Sequence, residues 1–122
     1  MREIPDRPTG WRRLVSAFGY SLAGLVAAFR NEPAFRQIVV LNALLIPTSF
    51  FLAVSAFERT LLIVVCLLAM IVELINSAIE AAIDRISLEF HPLSKNAKDM
   101  GSAAQLVALV IIVVTWVGVL VS

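Results

Sequence analysis

Charged residues are scarce in this chain: 16% of its 122 residues, against 60% that are hydrophobic. A soluble domain of this size exposes too much of its surface to hide so much apolar area, so the composition argues for a membrane protein. Cysteine is nearly absent. Cys66 stands alone in an apolar run, which excludes an internal disulfide framework and leaves a small core or lipid-facing residue. The net charge of +1 carries no footprint for nucleic acid. Neither GxxxxGK[ST] nor GxGxxG occurs, and Gly101-Ser102 is too short to replace either. The N-terminal MREIPDRPTG is polar and proline-broken, so no cleavable signal peptide is expected. Internal repeats and low-complexity tracts are also missing.

What the chain does have is long uncharged segments, each near the roughly 20 apolar residues that a transmembrane helix needs. Three spans are expected, at about 33–56, 60–85 and 99–121, within a single domain covering 1–122. Pro47 falls inside the first, where a lipid-buried helix tolerates it as a kink. Of the 10 basic residues, only Arg59 falls between the first and second spans; the other nine lie ahead of the charge-free run that starts at Ile38 or in the stretch from Arg85 to Lys98. The positive-inside rule then puts the N-terminus in the cytoplasm and the C-terminus in the periplasm. Ahead of the spans, Trp11, Leu14, Val15, Phe18, Leu22, Leu25, Val26 and Phe29 recur at helical spacing, with arginines on the flanks. This pattern predicts an amphipathic helix over about 10–31, lying in the cytoplasmic interface and capped by Thr9 or Gly10. Pro5 and Pro8 keep the chain irregular before it, and Pro33 turns it at Glu32 into the first span.

The chemistry-bearing stretch is MIVELINSAIEAAIDRI, 70–86. On a helix, Glu73, Asn76 or Ser77, Glu80 and Asp84 share one stripe. A charge near the bilayer centre costs ~2.5–3.5 kcal/mol on insertion scales. Asn and Ser can glue helices together without that cost, so paired carboxylates favour a functional reading. Such carboxylates offer hard oxygen ligands to magnesium, and a partly buried one suits a general base. Beside the stripe, the segment between the second and third spans supplies His91, Ser94, Lys95, Lys98 and Asp99. Carboxylate, metal and lysine together suit phosphoryl transfer; His91-Pro92 alone reads as an ordinary loop residue. From the residues alone, a metal-using enzyme and an ion pathway both remain open. In a lone chain the stripe would face lipid, so assembly is expected to bury it, with Ala78, Ala81 and Ala82 permitting close approach.

The segments NEPAFRQ (31–37), ELINSAIEAAIDRI (73–86) and KDMGSAA (98–104), with AFGYS (17–21) upstream, closely resemble the small bacterial diacylglycerol kinase family. The likeness covers nearly the whole chain. It implies an all-α membrane protein, homotrimeric, with three transmembrane helices and an N-terminal amphipathic surface helix per subunit, and active sites shared between neighbours. The implied reaction moves the γ-phosphate of ATP, with Mg2+, to the hydroxyl of diacylglycerol at the inner face of a Gram-negative inner membrane. By resemblance Glu73 is the catalytic base and Asn76 its orienting partner, while Glu32 and Glu80 hold the metal. Nucleotide positions are Arg13, Tyr20, Glu32, Glu80, Glu89, Phe90, His91, Lys98 and Asp99. The lipid-substrate side takes in Arg13, Ala17, Phe18, Gly19, Tyr20, Ser21, Leu22, Ala34, Phe35, Arg36, Gln37, Ile38, Arg59, Glu73 and Ser102. Two departures stand out: Ser16 where some relatives carry a lysine, and Leu22 in place of a tryptophan. Gram-positive relatives act on undecaprenol and differ around KDMGSAA, so MGSAA favours diacylglycerol. A proton-coupled transporter would need only Glu73 and leaves Glu32, Lys98 and Asp99 without a role.

Overall fold

The boundaries of the helices coincide with residues that force them. Thr9 occupies the N-cap position of the first helix in extended geometry, and Gly10 opens that helix at φ 59, a value that favours glycine. Four helices follow in a computed structural model that describes residues 9–122: α1 (Gly10–Asn31), α2 (Pro33–Ser49), α3 (Ala56–Ile86) and α4 (Pro92–Leu120). Pro5 and Pro8 lie outside the described residues. Glu32 is at once the C-cap of α1 and the N-cap of α2, with φ −118 and ψ 102, and Pro33 takes the first position of α2. Arg36 secures this corner by donating from Nη1 to the carbonyls of Phe29 and Arg30, at 2.9 and 3.1 Å. These are carbonyls that a helix end leaves without a partner.

The first expected span proves shorter than its charge-free run. Instead of reaching residue 56, α2 ends at Ser49, two residues past Pro47. Proline supplies no N–H to continue the ladder, and Phe50 and Phe51 close a turn onto the carbonyls of Pro47 and Thr48. Arg59, reaching back from α3, ties the turn together: Nε donates to Ser49 O at 2.9 Å, Nη2 to Leu52 O at 3.2 Å, and the guanidinium lies over the Phe50 ring. The next helix starts at Ala56, earlier than expected, because Ser55 and Glu58 form a reciprocal capping box at 3.1 and 3.0 Å. The fourth starts at Pro92 rather than near 99, with His91 Nδ1 accepting from Leu93 N at 3.1 Å as its cap. The connection between α3 and α4 is therefore only Ser87–His91, and Lys95, Lys98 and Asp99 stand on a helix.

Two helices, α3 with 31 residues and α4 with 29, are long and apolar enough to cross a bilayer. They run antiparallel. Ser122 meets Glu58 at one end, and Lys98 meets Asp84 at the other. Their seam is one continuous stripe on each helix. On α3 it begins apolar with Leu62, Val65, Cys66 and Ala69 and turns polar at Glu73, Asn76 and Ser77; on α4 it reads Gly101, Gln105, Ala108, Ile112 and Trp116. Small residues allow the backbones to approach, and amides tie them: Asn42 of α2 donates to Cys66 O at 3.1 Å, and Gln105 of α4 to Ala69 O at 3.3 Å. By contrast the apolar face of α1 stays bare, with Trp11 78% exposed and Phe18 67%, which suits a helix resting on a lipid surface.

The seam is tightest where Asn76 packs onto Gly101. A β-carbon on Gly101 would collide with the Asn76 side-chain oxygen. Gly101→Ala is therefore expected to destabilise the α3–α4 pair by ~1–3 kcal/mol, the usual cost of overpacking, and Asn76→Ala in the same chain should recover part of the loss. Denaturant unfolding in detergent checks this; an unchanged midpoint for Gly101→Ala would contradict it.

Candidate active site

Helical spacing brings Glu73 and Asn76 to the side of α3 that faces α4 and Ser77 to the edge that borders α1, and all three are buried, Glu73 at 3% exposure. This corrects the expectation that a single copy leaves its polar stripe toward lipid. The seam shelters the upper half of the stripe within one chain, and only the lower half, half-buried Glu80 and exposed Asp84, opens outward. Around Glu73 stand the Ser77 hydroxyl one turn on and the Gln105 amide of α4, with Glu80 and Glu32 close enough for their charges to be felt. Among the described residues, Asn76 Oδ1, Ser77 Oγ and Gln105 Oε1 are buried without a hydrogen-bond partner. Native interiors satisfy nearly all such atoms, so a cluster of exceptions beside a buried carboxylate marks a place built for something other than stability.

Three of the clefts among the described residues bear on the candidate site. The largest, about 570 Å³, lies between α1 and α3 and is lined by Gly24, Ala27, Ala28, Glu32, Ser77 and Ala81 among others. It brings Glu32 from the corner to the polar stretch of α3, with Ser77 beside Glu73 in its wall. A second, of about 370 Å³, sits at the α3–α4 connection. It gathers all five nucleotide positions expected from that region: Glu89, Phe90, His91, Lys98 and Asp99. A third cleft, about 400 Å³ and almost wholly apolar, is lined by Leu25, Val26, Phe29, Phe35 and Met70, with Arg30 among its walls.

Lys98 and Asp99 are engaged in ion pairs. Lys98 Nζ bonds Asp84 at 2.7 Å, and Lys95 Nζ bonds Asp99 at 2.5 Å. The hydrogen bond from Lys98 to Asp84 holds the Lys98 ammonium pKa above its ordinary value, ahead of the apolar stretch that starts at Met100, so the side chain is a cation at neutral pH. Both pairs are solvent-exposed and worth ~0–1 kcal/mol, weak enough for a polyphosphate to displace.

Other expected positions are not brought together in one chain. Arg13, Ala17, Phe18, Gly19, Tyr20 and Leu22 lie exposed along α1 and line none of these three clefts, and half-buried Ser16 is among them. Ser21 reaches the large cleft and Phe35 the apolar one. Ile38 is buried, Ala34, Gln37 and Ser102 are exposed, and Arg36 is occupied with the carbonyls of α1. Arg59 sits at the far end of α3, about 21 Å along the helix from Glu73, where it caps α2.

Sequence comparison shows which family the chain belongs to. The family described as prokaryotic diacylglycerol kinase matches residues 19–120. The chain is 68% identical over 112 residues to the diacylglycerol kinase of Pseudomonas aeruginosa, covering 92% of this chain and 91% of that protein. It is 52% identical over 113 residues to the diacylglycerol kinase of Escherichia coli, 93% of each chain, and 48% identical over 114 residues to that of Helicobacter pylori, 93% and 89%. The chain belongs to the prokaryotic diacylglycerol kinase family. Such kinases use ATP and a divalent cation, and the residues here fit that need. Glu32 and Glu80 are half-buried carboxylates, both sensed by Glu73. No group of three or more His, Cys, Asp or Glu among the described residues could cage a metal alone. Magnesium commonly takes one or two carboxylates and completes its shell with phosphate oxygens and water, so this donor set suits a metal that arrives with the nucleotide.

Glu80→Ala and Glu32→Ala are each expected to raise the magnesium concentration needed for half-maximal activity by about tenfold, one ligand's share of the binding energy, and to lower kcat. Titrating magnesium against each variant checks this; an unchanged requirement in both would place the cation elsewhere.

Proposed function

We propose that this chain is an ATP-dependent diacylglycerol kinase, making phosphatidic acid at the cytoplasmic face of a bacterial inner membrane. The observation that carries this is a carboxylate buried in a membrane-length helix seam, Glu73, in a chain that belongs to a lipid-kinase family. Glu73 is the general base. As the lipid oxygen bonds to the γ-phosphorus, its O–H bond breaks and the proton passes to Glu73, while the bond from γ-phosphorus to the bridging oxygen breaks and ADP leaves with that electron pair. Asn76 and the helix seam fix where the base stands. Glu32 and Glu80 hold Mg2+, which neutralises the phosphate charge when it is bound. Lys98, released from Asp84, binds phosphate oxygens, with Glu89, Phe90, His91 and Asp99 around the nucleotide.

Three spans carry this site. The 17 residues of α2 reach about 25 Å, and the turn before α3 completes the crossing. The distribution of basic residues then sets the N-terminus in the cytoplasm and the C-terminus in the periplasm. The working unit is a homotrimer. Arg13 and Tyr20 lie on an exposed helix away from the cleft that holds Lys98 and Asp99, and a neighbour's α1 can bring the two sets together. The exposed Ala78, Ala81 and Ala82 of α3 allow such an approach.

Labelled ATP offered with purified protein and a panel of lipid alcohols tests the reading. Diacylglycerol should be phosphorylated at least ~10-fold faster than undecaprenol, a margin of about 1.4 kcal/mol in the barrier, and Glu73→Gln should abolish nearly all turnover of a folded protein. Preference for undecaprenol would move the enzyme to the polyprenol branch of the family, and no transfer to any lipid would overturn the kinase reading.

A further inference from the structure

Glu32 is the single residue between α1 and α2, and its carboxylate does no capping: at the N-cap of α2 the side chain accepts no backbone N–H. Four residues on stands Arg36. A glutamate followed at that spacing by an arginine is a favoured partner for an ion pair. The pair does not form here. Among the described residues the ion pairs are Lys95 with Asp99 and Lys98 with Asp84, and the Arg36 guanidinium turns to the end of α1. Nη1 donates to Phe29 O at 2.9 Å and to Arg30 O at 3.1 Å. Pro33 is the reason. If the helix ran on, Phe29 O would take the N–H of residue 33, and proline has none. Arg36 supplies the missing donor from one turn further along, and its charge meets the negative end of the α1 dipole. The Glu32 carboxylate is left in the wall of the α1–α3 cleft, together with Ser77.

We propose that Arg36 is a positioning residue for Glu32: by bonding two carbonyls of α1 it fixes the corner that aims Glu32, and it keeps its own charge off the carboxylate, which stays free for the divalent cation. This role depends on Glu32 holding that cation, and it places Arg36 with the metal rather than with the lipid, where the family resemblance puts it. Both halves of the role have a physical cause. A guanidinium bonded to the carboxylate would occupy the oxygens that the metal needs. The corner itself has one non-helical residue, so a small rotation about the Glu32 backbone would swing its side chain out of the cleft. Arg36 restrains that rotation because its backbone belongs to α2 while its guanidinium is held on α1.

The test separates metal from lipid in the purified, assembled enzyme. Binding of the Mn2+ complex of a non-hydrolysable ATP analogue is followed by electron paramagnetic resonance, which needs no turnover, and KM for diacylglycerol is measured alongside. Arg36→Ala is expected to weaken binding of the complex about 3–10-fold, less than the ~10–100-fold typical when a bond to the ligand itself is lost, with the lipid KM unchanged. Arg36→Lys keeps a cationic donor and should recover part of the loss. In a Glu32→Ala background there is no carboxylate to aim, so adding Arg36→Ala should change binding by less than about twofold. A raised lipid KM with binding of the complex unchanged would return Arg36 to the lipid site and overturn the proposal. Equal losses with and without Glu32, or failure of both Arg36 variants to assemble, would make Arg36 a residue of the fold alone and overturn it too. Undiminished binding in Glu32→Ala by itself would instead remove the metal reading of Glu32, and this inference with it.

Discussion

A carboxylate can sit at the depth of a bilayer only if something other than lipid surrounds it, and in this protein that something is α4. Glu73, Asn76 and Ser77 occupy the same stripe of α3 that, one to three turns earlier, carries Leu62, Val65, Cys66 and Ala69. The apolar half of the stripe and its partners Ala108, Ile112 and Trp116 supply the packing; the polar half is carried into register by the rigidity of the helix. Gly101 opposite Asn76 then sets how closely the two backbones approach. The seam thus does structural work over one half of its length and holds the candidate site over the other. The orphaned polar atoms cluster in the half with Glu73, with Asn42 and Trp116 adding two in the apolar half.

The division between what one chain completes and what it leaves open follows from the same geometry. One copy buries its expected base, gathers Glu89 to Lys98 and Asp99 in one cleft, and brings Glu32 to the α1–α3 cleft beside Ser77. It leaves Arg13 and Tyr20 on a bare helix and the alanines of α3 uncovered. A chain of 122 residues has little surface to spare, and a nucleotide with its metal and a lipid needs walls on several sides. In the proposed homotrimer, neighbouring copies would supply those walls without lengthening the chain.

Much of this was legible in the sequence because it is written in local periods. Spacings of three and four give the stripe from Glu73 to Asp84 and the bare face of α1, and Pro33 gives the corner at Glu32. Features set by contact between distant segments were not legible. Pro47 is compatible with a kink or a stop, and the stop is fixed by Arg59, which reaches the carbonyls of Ser49 and Leu52 from the next helix. The stripe was expected to face lipid in a lone chain because nothing in α3 itself names its partner; Gly101 and Gln105 do, four residues apart on α4. Gln105 was passed over because one amide in a long apolar run changes the hydropathy very little, although a buried amide in a span needs a partner. His91 reads as a loop residue until Pro92 is seen to start a helix that His91 caps.

The central claim is that a working site takes Glu73 from one copy and Arg13 from a neighbour, since Glu73 lies in the seam of α3 while Arg13 lies on an exposed stretch of α1 that lines none of the three clefts. Subunits carrying Glu73→Gln and subunits carrying Arg13→Ala, each impaired alone, can be unfolded, mixed and refolded together, and kinase activity measured across mixing ratios. Activity should return and peak at intermediate ratios, because some mixed sites then hold both intact groups. Confirmed co-assembly with no activity at any ratio would mean that both groups act from the same chain, and would contradict the account.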